Sequence, residues 1–171
     1  MYEWNEERNE KYLFGEEPYT TYVTYLVTAA DRTDIQTLDD LQGLKVKSST
    51  GSNSLFILET YNKEHTDNPI KIDYVNNSTD EETVTGILNG VWDATILTKR
   101  DTEKLNKNGN GSDVLKVTGE PVQSSSTYFV FDKGNTELQT AVDGALKQLK
   151  ESGKLAGISV DIIGGDYTES E

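Results

Sequence analysis

Short apolar runs and longer amphipathic stretches alternate along this chain, and they set the elements it is expected to form. Thr20–Thr28 (TTYVTYLVT) is dense in β-branched and aromatic side chains and reads as a strand. A polar stretch, Ala29–Gln36, separates it from Thr37–Gly43, which reads as one short helical turn opened by a threonine cap and closed by glycine. Leu44–Ser48 reads as a short strand, and the small-residue loop Ser48–Ser54 leads into a helix carrying Phe56, Ile57 and Tyr61. Ile70–Val75 alternates as a half-buried strand does. Thr79 and Glu82 have capping-box spacing ahead of an apolar stripe at Val84, Ile87, Leu88 and Val91, with Gly90 near the helix end. Asp93–Leu97 reads as a strand, about Asp101–Lys107 as a short helix, and Asn106–Asp113 as a turn-rich surface loop. Val114–Thr118 and Thr127–Phe131 read as two further strands. The last helix starts at Asn135 or Thr136, keeps Leu138, Val142, Ala145, Leu146 and Leu149 at helical spacing, and stops at Gly153. The polar tail Asp166–Glu171 reads as frayed.

Strands and helices thus alternate through most of the chain. That order predicts an α/β fold with a largely parallel sheet. There is no internal repeat and no low-complexity tract.

Composition narrows the function. The chain has 171 residues, enough for one ordinary domain or two small lobes. Hydrophobic content is 34% and mean hydropathy −0.63, which reads as a soluble, surface-rich protein. No stretch approaches the ~20 apolar residues a membrane helix needs. The formal net charge is −14, from 30 acidic and 16 basic residues, which argues against nucleic acid and anionic membranes as partners. Without cysteine, thiol catalysis, disulfides and thiolate metal sites are excluded. The start, MYEWNEERNE, is acidic where a secretion signal carries a basic and then an apolar region. The expectation is therefore a cytosolic protein or a segment cut from a longer secreted precursor.

Candidate chemistry is sparse. A histidine metal site or a Ser–His–acid triad would depend on His65, whose polar context Lys63–Asp67 reads as a solvated loop. Asp39-Asp40 and Asp80-Glu81-Glu82 each begin a helix, where acidic residues complement the helix dipole, so no catalytic role is needed to explain them. Asn106–Asp113 lacks the alternating oxygen ligands of a calcium loop. No catalytic residue, metal site or cofactor is expected. The turn Ser49-Thr-Gly-Ser-Asn53 is neither a phosphate-binding Walker loop nor a dinucleotide fingerprint. A small-residue loop entering a helix presents backbone N–H groups and the positive helix end, which suit a carboxylate. It is equally an ordinary strand-to-helix turn capped by Ser or Asn. Spacing alone leaves both open.

Read together, several segments resemble the extracellular solute-binding proteins for polar amino acids. Asn5–Arg8 followed by Tyr12–Tyr19 resembles the family's "T-x-x-R…F-S-x-P-Y" run. Leu38–Gly43, Val46 and Ser49–Ser52 resemble "L-x-D-L-x-G-K-x-V-x-V-x-x-G-T", and Leu88–Ala94 resembles "L-x-x-G-R-x-D-A". Tyr128–Gly134 is similar to the family's late strand, Leu146–Leu155 to "A-L-x-x-L-x-x-x-G-x-L", and Gly164–Thr168 to the ending of Gram-positive cystine-type members.

The resemblance implies a periplasmic-binding-protein-like fold of two α/β lobes with the ligand held in the cleft. Residues 1–28 would be a remnant of lobe 1 with the first crossing strand, 29–123 a complete lobe 2, and 124–171 the return into lobe 1. Roughly the first hundred residues of a typical member would be absent. It further implies the substrate-binding component of an importer for cystine or another polar amino acid, with ABC permease subunits as partners. Such a protein sits at the extracellular face, lipid-anchored in its precursor, or in the periplasm. By this match Arg8 grips the ligand's carboxylate, and Gly51, Ser52 and Asn53 hold the same group, with Ser49 at a side-chain contact. Thr98 falls where the family usually has an aspartate for the ligand's ammonium, and a hydroxyl cannot supply that charge. Other readings of the same fold are a sensor or adhesion module, or a dehydratase of the cyclohexadienyl type. With lobe 1 incomplete, apolar faces of 20–28, 128–131 and 136–151 are expected to pack on lobe 2 or to be buried in a homodimer, and free amino acids to bind weakly or not at all.

Overall fold

The computed structural model describes residues 2–4, 6–109 and 112–168, and the fold divides into two compact units. Residues 23–123 form unit 2, while 1–22 and 124–171 form unit 1.

Unit 2 is a three-layer α/β sandwich. Its strands are β3 (Thr20–Ala29, which begins in unit 1), β4 (Lys45–Ser48), β5 (Lys71–Tyr74), β6 (Ala94–Leu97) and the first part of β7 (Leu115–Tyr128). They lie in the order β7-β3-β6-β4-β5. The parallel part is confined to β4, β5 and β6, with Val46 opposite both Ile72 and Ala94. β3 instead runs antiparallel to β6, with Leu26 opposite Ile96.

Because side chains alternate across a strand, consecutive residues of β3 serve two cores. Leu26 joins Val46, Ala94 and Ile96 beneath helix α2 (Asn53–Glu64), which contributes Leu58 and Tyr61. Val27 joins Leu105, Leu115 and Trp92 on the other face, beneath α3 (Asp80–Leu88) and α4 (Lys99–Gly109). Leu26, Leu58, Ile35 and Val46 are fully buried, each worth about 2 kcal/mol of transfer free energy.

Local chemistry sets the element ends. The capping box opening α3 is present: Glu82 N–H donates to the Thr79 hydroxyl at 3.1 Å, and Thr79 N–H donates to Glu82 Oε2 at 2.8 Å. Gly86 is required by packing, since a Cβ there would lie 2.2 Å from the Trp92 ring. Trp92 in turn donates its indole N–H to Asp73 at 2.8 Å. Arg32 donates to Asp93 at 2.6 Å, and the same carboxylate accepts the Lys45 N–H at 2.8 Å. Asp93 thus pins the loop after β3 to the start of β4.

Several expectations change. The turn over Thr37–Gly43 is a 3-10 turn over Asp39–Leu41 with no threonine cap; the Asp40 carboxylate accepts from Thr37 instead. His65 is not a loop residue. It is the C-cap of α2, half-buried, stacked on Tyr61 at 3.9 Å with Nδ1 2.9 Å from the Tyr61 carbonyl. Asn106–Gly109 is helix rather than loop, because buried Asn106 pairs with both backbone groups of Leu115 at 2.9 and 3.0 Å. Asn110 and Gly111 of that expected loop lie outside the described residues.

Unit 1 contains β1 (Tyr2–Glu3), α1 (Glu6–Lys11), β2 (Leu13–Phe14), β8 (Val130–Phe131), α5 (Thr136–Glu151) and α6 (Lys154–Ile163). β1 pairs antiparallel with the end of β7, and β2 with β8. Gly153, at φ +69°, ends α5 as expected but leads directly into α6, a helix the spacing did not predict. The tail is anchored as far as Thr168: the Tyr167 carbonyl accepts from Thr21 N–H at 3.0 Å and from the Thr20 hydroxyl at 2.6 Å. Residues 169–171 of the tail expected to fray, and Asn5 of the first motif, lie outside the described residues.

Candidate functional site

In open α/β sheets ligands lie beyond the carboxyl ends of the strands. In unit 2, β4 and β6 are adjacent and parallel, so Ser48 and Leu97 end at one edge. The segments leaving that edge are the turn Ser49–Ser52 into α2 and Thr98 into α4. The structure therefore brings Ser49, Gly51, Ser52, Asn53 and Thr98 onto neighbouring strand ends. Arg8 belongs to unit 1, on α1, where its Nη1 donates to the Glu3 carbonyl at 3.0 Å.

The turn is fixed from below. The Ser52 hydroxyl is the N-cap of α2: it accepts from Leu55 N–H at 3.1 Å and donates to the Ser49 carbonyl at 2.7 Å. The hydroxyls of buried Ser48 and of Ser54 lie 3.2 and 2.9 Å from that of Ser52. The Ser49 hydroxyl donates to the Val75 carbonyl at 3.0 Å, and Asn76 Oδ1 takes both the N–H and the hydroxyl of Thr50 at 2.8 Å each. Gly51 sits at the apex with φ +74°, a left-handed conformation that favours glycine, and its Cα faces open space. The Asn53 amide donates to Gln123 Oε1.

Most predicted side chains are thus consumed by the turn's own bonds. What remains outward is backbone. The first N–H groups of a helix have no intrahelical acceptor, so those of Asn53 and Ser54 point out of the α2 end, beside Gly51. The partial positive charge of that end adds to them. Such an arrangement can accept an anion of carboxylate size.

At the next strand end, Thr98 is also committed. Its hydroxyl accepts from Asp101 N–H at 3.0 Å and donates to Asp101 Oδ2 at 2.8 Å, capping α4. Reading residue by residue missed Asn76, Ser48, Ser54, Gln123 and Asp101. Asn76 follows a strand in the run Val75-Asn-Asn-Ser78, a turn signal that could have drawn attention to it; Gln123 carries no such signal. A shallow groove of about 400 Å³, lined by Glu81, Glu82, Gly86, Asn89 and Trp92 among others, belongs to α3 and not to the turn.

Comparison with known proteins adds a second line of support. The chain is 32% identical over 166 residues to the L-cystine-binding protein TcyJ of Bacillus subtilis (strain 168), a match covering 97% of this chain and 60% of that relative. Its fold matches the probable amino-acid ABC transporter extracellular-binding protein ytmK from Bacillus subtilis with a TM-score of 0.83 and 28% identity, over 97% of this chain and 70% of that one. It matches the putative L-cystine ABC transporter from Listeria monocytogenes with a TM-score of 0.77 and 29% identity, over 98% and 69%. The chain spans about 60% of the length of the curated relatives it matches. Over residues 2–164 it matches the profile of the bacterial extracellular solute-binding proteins, and it belongs to that group, family 3.

Proposed function

We propose that this chain is part of the substrate-binding component of an ABC importer for cystine or another polar amino acid, working outside the cytoplasm with permease subunits. The observation that carries this is the α2 end, where the N–H groups of Asn53 and Ser54 have no intrahelical acceptor, beside Gly51 on a turn braced by the Ser52 cap and Asn76. A carboxylate is the one group every amino acid offers such a site. The cystine assignment is supported by relatives that are cystine-binding proteins.

Unit 2 serves as the complete second lobe. Residues 1–22 and 124–171 serve as part of the first, with Arg8 assigned to the same carboxylate by its motif. Ser49 braces the turn rather than touching ligand. In the 171-residue chain taken alone, a second copy covers the apolar side chains of unit 1.

The test is an amide chemical-shift titration of the labelled chain with S-methyl-L-cysteine, a soluble amino acid bearing a thioether. Gly51–Ser54 are expected to shift, with an affinity on the order of millimolar because one unit supplies only part of the contacts. Silence at Gly51–Ser54 at tens of millimolar would remove the carboxylate reading. Micromolar affinity would overturn the division of contacts between units.

A further inference from the structure

Three times among the described residues a threonine gives both its N–H and its hydroxyl to one side-chain oxygen. Asp40 Oδ2 takes Thr37 at 2.9 and 3.0 Å, and Asp166 Oδ1 takes Thr168 at 2.9 and 2.7 Å. Asn76 Oδ1 takes Thr50 at 2.8 Å for each bond. The donors are the same in all three brackets. The acceptor is a carboxylate in two of them and a neutral amide in the third.

A carboxylate is the stronger acceptor, since charge-assisted hydrogen bonds are shorter and roughly twice as strong. The first two brackets show it. The Gln36 and Thr37 donors hold the Asp40 carboxyl below its ordinary value of 3.8, and the Thr168 donors do the same for Asp166. A carboxylate at position 76 would therefore brace Thr50 at least as firmly, and would be ionised at neutral pH.

The common reasons for an asparagine do not apply here. Among the described residues no residue other than glycine has a positive φ, so position 76 does not need a side chain that tolerates left-handed backbone. Asn76 is exposed, so a charge there would lose little hydration. Its Nδ2 makes no hydrogen bond among the described residues, so the fold does not use the amide as a donor.

What sets the third bracket apart is its place. Thr50 is the chain neighbour of Gly51, on the turn whose outward groups are the N–H of Asn53 and of Ser54 at the positive end of α2. Asn76 reaches it from just beyond β5, 26 residues along the chain. A negative charge bonded to Thr50 would lower the positive potential at that end and repel an anion. An amide oxygen makes both bonds without that charge.

We propose that Asn76 is a positioning residue that fixes the turn through a neutral acceptor, and that its lack of charge keeps the turn open to a carboxylate. The inference rests on the carboxylate reading of Gly51–Ser54. Asn76 acts through Thr50 and touches no ligand. Bracing and neutrality are separate contributions, and two substitutions separate them: Asn76→Ala removes the brace and adds no charge, whereas Asn76→Asp keeps the brace and adds one.

The experiment is an amide-shift titration of the full chain with S-methyl-L-cysteine, in the wild type and both variants, at low salt and at about 0.5 M salt. Asn76→Asp should keep the melting temperature and the Thr50 amide position of the free protein, yet bind at least about tenfold more weakly at low salt. Added salt should recover much of that loss, because it screens exposed charge. Asn76→Ala should melt lower and bind about threefold more weakly, with the salt dependence of the wild type. A merely structural role predicts the reverse order, with Asn76→Ala the weaker binder. Binding by Asn76→Asp within about twofold of the wild type, or a loss that salt leaves unchanged, would overturn the proposal and leave the carboxylate reading standing. If the wild type itself shows no shift at Gly51–Ser54, that reading falls and the role of Asn76 falls with it.

Discussion

One oxygen of Asp40 accepts three donors: Gln36 N–H at 3.0 Å, Thr37 N–H at 2.9 Å and the Thr37 hydroxyl at 3.0 Å. The two backbone N–H groups, then the hydroxyl, hold its carboxyl below the ordinary value of 3.8. A lowered folded-state pKa means that the unfolded chain binds the proton first. The resulting stability is present above 3.8 and lost as pH falls through the folded value. Asp34, held down mainly by Arg32, and Asp166, held down by Thr168, act in the same direction. The side-chain carboxyl of Asp40 should therefore titrate below 3.8 when followed by carbon NMR. Asp40→Asn should also shrink the difference between urea midpoints measured near about pH 5 and about pH 3. An Asp40 midpoint at or above the ordinary value would show that the three bonds do not persist in solution. The same logic distinguishes Ser52 from an assumed ligand contact: its hydroxyl already holds a donor and an acceptor, so truncation acts first on the helix end.

At the level of elements, β7 shows what one backbone angle decides. Gly119 lies within this 14-residue strand at φ +67°, and a Cβ there would sit 1.8 Å from the Gln36 carbonyl oxygen. Its neighbour Thr118, buried, donates to the Ile35 carbonyl at 2.7 Å. Gly119→Ala adds conformational strain and a backbone clash together, and should cost about 3 kcal/mol or more in urea unfolding. A loss of less than about 1 kcal/mol would mean that the strand shifts freely at this point. Two strands were expected, over Val114–Thr118 and Thr127–Phe131, whereas β7 continues through Gly119–Ser126 to Tyr128 and β8 takes only Val130–Phe131; the glycine, proline and serine of that run carry no strand signal. What keeps it extended is pairing and the close pass against Gln36, which no local pattern records. α6 was hidden for the opposite reason. Ile158, Val160, Ile162 and Ile163 lower helix propensity, and the helix forms because Gly153 turns the chain back and α6 packs on α5. By contrast α2, α3 and β3–β6 were legible, since caps and alternation coincide there with the cores they serve. The small-residue loop was legible; Asn76 was not, because it reaches Thr50 only through the pairing of β4 with β5.

Across the whole molecule the two units differ in how well they bury themselves. Both hydrophobic clusters consist of unit 2 residues, one on each face of its sheet. Unit 1, among the described residues, has isolated buried positions such as Phe14 and Leu146, and it exposes Leu138, Ile158, Val160 and Ile162, the last at 79%. These four aliphatic side chains lie on the two helices α5 and α6, which pack on each other. The dimer proposed above would cover them with a second copy. The isologous contact of two identical faces closes on itself and stops at a dimer. Sedimentation of the isolated chain should therefore show a concentration-dependent monomer–dimer equilibrium, and Ile162→Glu should move it to monomer by placing like charges opposite each other. Far-ultraviolet circular dichroism and the amide spectrum of 23–123 should be unchanged in that variant, because α6 contributes nothing to either cluster of unit 2. A wild-type chain that stays monomeric at high concentration and binds no hydrophobic dye would show that unit 1 buries these side chains internally. In that case the propensity conflict in α6 would be resolved by intramolecular packing rather than by a partner.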